Sequence, residues 1–273
     1  MGIRIALGQA STSEVKGFNL RKGLKMIKEA SKKGADLLIL PELFMAYRQL
    51  SEGKGRFTSV AESLSGPFVT ALSREARRKR MHVAVGVLER SEKRGLVHNT
   101  VVMIGSNGKI LSRHRKAQLF DSFGYVESSR IAAGVEFEGA FSTPLGRMGM
   151  MTCYELRFPE LARILALQGA RLIVVPTAWV AGRVKEDHLR IFARARALEN
   201  TVFVAVACQT GRIFTGRSVV VDPFGVPVCD AGEEEGVFVT EIDPKRIERV
   251  RKTLPVLEHL RTDLYSRFWT GVK

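Results

Sequence analysis

Three residues in this chain stand where a reactive side chain would be useful. Glu42 closes the run LLILPE, Cys153 closes GRMGMMTC, and Lys116 lies in HRKAQLF. A carboxylate leaving a buried apolar run is costly unless partnered, and its pKa tends to rise, which suits a general base near neutral pH. The competing reading of Glu42 is a strand-end glutamate in water or in an ion pair. Cys153 falls where a strand gives way to a helix expected from near Glu155, and N–H groups at a helix start favour thiolate over thiol. A buried, inert cysteine fits the same position. Lys116 belongs to a basic run, so a solvated charge is its simple reading, although Leu119 and Phe120 turn the chain inward just beyond it. None of the five histidines has evident partners, so a carboxylate is the expected base for Cys153. The remaining cysteines, Cys208 and Cys229, lack such a setting and read as a core residue and a loop residue. Three cysteines without C-x-x-C spacing give no basis for a disulfide framework or a structural zinc site, and no metal is expected.

The elements that must hold these residues repeat. KGADLLILPE (residues 33–42) echoes QGARLIVVPT (residues 168–177), with Gly34, Ala35, Leu37 and Pro41 matching Gly169, Ala170, Leu172 and Pro176. Strands are expected over residues 3–9 and 147–153, then helices over 20–33 and 156–168. The first helix has Leu20, Leu24, Ile27 and Ala30 at helical spacing. Buried strands follow at 37–40 and 172–175, helices at 68–80 and 187–199, and strands at 83–88 and 201–208. Each half closes with a hairpin, one turning at Asn107-Gly108 and the other at Asp222-Pro223-Phe224-Gly225. A last strand is expected at 237–242 and a short helix at 244–254. Two β-α-β-α-β-β halves sharing one core make an α/β fold, with two sheets face to face and helices outside. Sites in such sheets lie beyond the carboxyl ends of the strands. Residues 1–254 read as one domain. The tail, 255–273, carries Leu257, Leu260, Leu264, Tyr265, Phe268 and Trp269, and is expected to pack at a dimer interface.

Composition narrows the setting. The chain has 273 residues, 45% apolar and 26% charged, which is globular rather than disordered. No apolar run approaches the roughly 18 residues a membrane helix needs. The N-terminus carries no secretory pattern, and Ala6 stands where a myristoylation motif wants Ser or Thr; a cytoplasmic protein is expected. The formal charge is +15. The basic residues are scattered and no aromatic platform is interleaved with them, so no nucleic-acid partner is expected. Abundant Arg beside few Asn and Gln hints at a thermophilic source.

Taken together, LPELF around Glu42, RKAQLFD around Lys116, YVES around Glu127 and CYELRFPELA from Cys153 resemble the nitrilase, or carbon–nitrogen hydrolase, superfamily over essentially the whole chain. The segments ALENTVFVAVA, VVDPFGVPV and LPVLEHLRTDLY add to the likeness. The resemblance implies a four-layer α-β-β-α sandwich with an internal pseudo-twofold, a homodimer or higher oligomer, and no cofactor. It implies Cys153 as nucleophile, Glu42 as general base and Lys116 as stabiliser of the tetrahedral intermediate. Glu127 would position Lys116 or the substrate, and the Tyr154 N–H would complete an oxyanion hole. CYELRFPE and the DLY ending are most similar to the small-amidase branch, omega-amidase-like or deaminated-glutathione-amidase-like. The implied substrate is a small amide carrying a carboxylate, for which an arginine in the pocket would be useful. Arg157 and Arg183 are the candidates, though Arg157 could equally pin a helix to a sheet, and Trp179 is a further substrate-binding candidate. Gln118 stands where the family often has His, and Glu155 where it often has Asp. A nitrilase or an N-carbamoyl amino acid hydrolase would use the same residues. A basic, non-catalytic binding protein on the same scaffold is the reading from another class, and an intact Glu42-Lys116-Cys153 set argues against it.

Overall fold

The computed structural model describes residues 2–47 and 55–269. The first half runs β1 (Ile3–Gln9), α1 (Lys16–Lys32), β2 (Leu37–Ile39), α2 (Gly55–Val60), α3 (Pro67–Lys79), β3 (His82–Arg90), β4 (Val97–Ile104) and β5 (Ile110–Arg115). The second runs β6 (Phe141–Thr143), β7 (Gly146–Met150), α4 (Pro159–Leu167), β8 (Leu172–Thr177), α5 (Lys185–Asn200), β9 (Phe203–Cys208), β10 (Val219–Val221) and β11 (Pro227–Asp230). β12 (Gly236–Ile242), α6 (Lys245–Thr253) and α7 (Thr262–Trp269) complete the order.

Two six-stranded sheets result, ordered β12-β1-β2-β3-β4-β5 and β11-β10-β9-β8-β7-β6. Within each, three central strands run parallel and the outer ones antiparallel. Alternation along the strands builds the layers, because successive side chains point to opposite faces. Leu37 and Ile39 of β2 meet Leu172 and Val174 of β8 in a core between the sheets. Leu38 and Leu40 face the other way, toward Ile27, Phe68 and Leu72 on α1 and α3. Ile173 and Val175 likewise face Leu161, Leu165 and Leu189 on α4 and α5. The order of layers is therefore helix, sheet, sheet, helix, as the sequence led us to expect.

The duplication is structural rather than metrical. Leu37 corresponds to Leu172, yet their partners on the preceding strands are Ile5 and Met148, and on the following strands His82 and Phe203. The spacing between equivalents thus changes along the chain. β6 and β12 occupy equivalent antiparallel edges, one opening its half and the other returning from the end of the chain. β6 and α2 were not expected from sequence.

Two local expectations are corrected. The helix expected over 156–168 begins at Pro159, after a five-residue 3-10 turn, Cys153–Arg157. Proline suits the first helical position and holds the residue before it extended, so Phe158 breaks the run. Cys229 lies on β11 rather than in a loop, and is half-buried. In the tail, Leu257 packs against the core beneath α4 and α5, whereas Leu264 and Tyr265 are exposed. The side chains of Phe268 and Trp269 lie outside the described residues.

Candidate active site

The residues singled out by chemistry converge from both sheets. Glu42 follows β2, Lys116 follows β5, Cys153 follows β7, and Ala178 follows β8, all at carboxyl ends of strands. Glu42 and Lys116 are each 2% exposed and Cys153 8%. Lys116 Nζ lies 2.9 Å from a carboxylate oxygen of Glu42 and 2.9 Å from one of Glu127. Asn99, buried on β4, donates to both carboxylates, at 2.7 Å to Glu42 and 3.2 Å to Glu127. The second Glu42 oxygen accepts the Ala178 N–H at 2.7 Å, and the Gln209 side chain donates to the Glu42 carbonyl at 2.8 Å. Phe120 N–H donates to Glu127 at 2.7 Å.

Backbone geometry aims these groups. Cys153 is held at φ 46° and Leu43 at φ 53°, the left-handed region that non-glycine residues rarely adopt. Strain of this kind persists only where its surroundings hold it, and here it flanks both reactive groups. Gly86 on β3 answers a close approach: a Cβ there would lie 2.6 Å from Glu42 Cα and 2.7 Å from the Pro41 carbonyl oxygen.

The electrostatics separate the roles. Burial opposes the charge on Lys116, but Glu127 and then Glu42 prevail and hold the ammonium well above the usual lysine range. Burial, and then the Glu42 carboxylate, push the Cys153 thiol well above the usual thiol range, against the pull of Lys116. The helix start expected from near Glu155 is not beside Cys153, since α4 begins six residues later at Pro159. Burial and Glu42 thus both disfavour the Cys153 thiolate.

Sequence reasoning missed a second buried carboxylate. Glu155 accepts from the Ala117 N–H at 2.7 Å, the Thr152 N–H at 2.8 Å and His114 Nε2 at 2.6 Å. Burial opposes its charge, yet His114 and the backbone donors hold its carboxyl below the usual range. Because an ionised carboxylate only accepts, the His114 Nε2 must carry the proton. Glu155 so ties the segment bearing Lys116 to the turn bearing Cys153. The signal was present in the spacing Thr152-x-x-Glu155, a helix-start pattern.

The site floors a pocket of about 690 Å³, counted to its mouth, walled by Tyr47, Phe120, Tyr125, Tyr154, Trp179 and Phe214. Burial, with Tyr125 and Glu42 nearby, pushes the Tyr47 hydroxyl up to about 12. Tyr154, Trp179 and Arg157 line this pocket; Arg183 does not, and is exposed. Arg157 lies 4.8 Å from the Phe192 ring centroid and 5.2 Å from that of Trp179. Lys185, which sequence reasoning passed over, also lines the pocket. Among the described residues no group of three His, Cys, Asp or Glu is placed to hold a metal ion, and no helix is long and apolar enough to cross a membrane.

A paired-sheet α/β sandwich with buried carboxylates, an ammonium and a thiol at the strand ends is a hydrolase-like arrangement, and the chain belongs to the carbon–nitrogen hydrolase family, whose model matches residues 4–252. Among relatives, it is 35% identical over 257 residues to the deaminated glutathione amidase of Escherichia coli O157:H7, covering 94% of this chain and 97% of that one. It is 34% identical to the omega-amidase NIT2 of Mus musculus, covering 96% of each. Among solved structures, the C. elegans NitFhit protein superposes with a TM-score of 0.89 at 30% identity; the match covers 97% of this chain and 66% of that longer one. The chain is accordingly an enzyme of the nitrilase superfamily's amidase type.

Proposed function

We propose that the protein hydrolyses the C–N bond of a small, carboxylate-bearing amide through a thioester on Cys153. The observation that carries this reading is the buried Glu42-Lys116-Glu127 cluster beside the Cys153 thiol. Glu42 takes the thiol proton as Sγ attacks the amide carbon. The new oxyanion is met by the Lys116 ammonium and the Tyr154 N–H; a fixed donor of this kind contributes about 10²- to 10³-fold in rate. The carbon–nitrogen bond breaks as Glu42 passes its proton to the leaving nitrogen, releasing ammonia and an acyl thioester. Water, deprotonated by Glu42, attacks the thioester carbon, and the thiol leaves with that proton to restore the starting state. Glu127 keeps Lys116 charged and in place throughout, while Asn99 orients the Glu42 and Glu127 carboxylates.

The raised Cys153 pKa supports proton transfer concerted with attack rather than a standing thiolate. The relatives' names, deaminated glutathione amidase and omega-amidase, support an acidic amide as substrate. Exposed Ile164 and Leu167 on α4, with Ile191 and Leu198 on α5, support a homodimer built on these outer helices. The three free thiols fit a reducing cytoplasm. The test is ammonia release from a panel of 2-oxo-acid amides, deaminated glutathione, aliphatic amides, N-carbamoyl amino acids and nitriles. Cys153-dependent release from an acidic amide is expected; preference for a nitrile or a carbamoyl compound would replace the amide reading.

A further inference from the structure

The pocket is lined by charges of both signs. Its floor holds two carboxylates and one ammonium, Glu42, Glu127 and Lys116, so a second anion there would meet net negative charge. Its lining also holds two cations, Arg157 and Lys185, and among the described residues neither has a carboxylate partner. Arg157 contacts the His188 ring nitrogen at 3.4 Å, and its buried Nε has no hydrogen-bond partner. Lys185 Nζ sits 3.2 Å from the Phe123 ring centroid and 5.8 Å from that of Phe120. Its neighbours in the first turn of α5, Glu186 and Asp187, form no ion pair with it.

The backbone beneath Lys185 is fixed. Its carbonyl accepts the Trp179 indole N–H at 2.8 Å, and its N–H donates to the Gly182 carbonyl at 3.0 Å. An ammonium carried on a pinned backbone over aromatic faces is held in place yet keeps donors free. Burial, and then the repulsion of Arg157, lower its pKa against the pull of Cys153. A ligand carboxylate would relieve that repulsion, and charge-assisted hydrogen bonds are the stronger kind.

We infer that Lys185, backed by Arg157, determines substrate selectivity by receiving a carboxylate at the end of the substrate opposite the scissile carboxamide. This rests on the amidase reading above and assigns to Lys185 the part that sequence offered to Arg183. The same two cations would repel a substrate bearing an ammonium beside that carboxylate, so free amino acid amides are disfavoured relative to the desamino compounds.

The test compares glutaric acid monoamide with pentanamide, which match in length and differ in the terminal carboxylate. Steady-state ammonia release is measured for wild type, Lys185→Met and Lys185→Arg. Methionine keeps an unbranched stem over Phe123, and a wild-type urea midpoint reports that the variant is folded. Lys185→Met is expected to raise KM for the monoamide roughly tenfold or more, with its kcat within about twofold, so that its kcat/KM advantage over pentanamide falls by a similar factor. Lys185→Arg should keep the preference. An unchanged preference in Lys185→Met overturns the assignment alone, as does a wild type that hydrolyses both amides equally. A wild type that releases ammonia from no amide at all removes the amidase reading, and this inference with it.

Discussion

Replacing Glu155 by Gln should cost both stability and rate, although Glu155 does not reach the pocket. Its carboxylate is fully buried and accepts four hydrogen bonds, from the Ala117, Gln118 and Thr152 N–H groups and from His114. The amide keeps one acceptor and turns the other oxygen into a donor. Buried donors then face another donor or no partner. An unsatisfied buried donor costs about 1–3 kcal/mol, and with two donors on each oxygen the amide nitrogen leaves two without an acceptor. The expected loss is therefore about 2–6 kcal/mol, a large share of a typical 5–15, and lowers the urea midpoint by on the order of 1 M. The catalytic loss follows because the same bonds fix Lys116 relative to Cys153, and about 1 Å of misplacement can cost 10²-fold. The pH dependence gives a sharper signature. The folded pKa of Glu155 lies below its usual 4.5. The stability from its ionisation is thus fully present above the unfolded value and lost as pH falls through the folded one. The gap between wild type and Glu155→Gln should be constant from pH 6 to 8 and shrink below about pH 4. A Glu155→Gln protein that unfolds within about 1 kcal/mol of wild type, with full activity, would refute this reasoning.

Two further outcomes follow from the site. Gly86→Ala places a Cβ against Glu42 Cα and the Pro41 carbonyl, so it should displace Glu42 and cut kcat/KM about 10²-fold while costing about 1–3 kcal/mol of stability; a wild-type rate would show that Glu42 has room to spare. The difference in absorbance near 240 nm between wild type and Cys153→Ala should show no thiolate at pH 7, because burial and Glu42 hold the Cys153 proton on sulfur; a full thiolate band at neutral pH would mean a standing ion pair with Lys116.

Much of the fold was legible because the strands are covered on both sides. Runs such as LLIL and LIVV can pack only between two layers, and punctuation at Asn107-Gly108 and Asp222–Gly225 marked the hairpins. The short β6 carries no comparable run, since its edge position leaves it half-covered. The start of α4 was misplaced because ELRF continues the helical pattern while Pro159 ends its eligibility. At the site, the reactive residues were visible by type and position, but their supports were not. Asn99 and Gln209 reach Glu42 from β4 and from beyond β9, contacts no local pattern encodes. Lys185 was masked by the charged run KED, which reads as solvated surface; only folding brings its stem over Phe123. Gly86 sits in an ordinary apolar strand, and its need for a missing side chain appears only when the Glu42 backbone lies against it.

The central claim is that Cys153 performs the attack. The most direct measurement is ammonia release by purified Cys153→Ala beside wild type, on whichever amide of the panel wild type prefers, with both shown to unfold at the same urea concentration. Removing the nucleophile while leaving Glu42, Lys116 and Glu127 in place is predicted to reduce the rate by at least about 10³-fold. A folded Cys153→Ala protein that turns the amide over at the wild-type rate would contradict it.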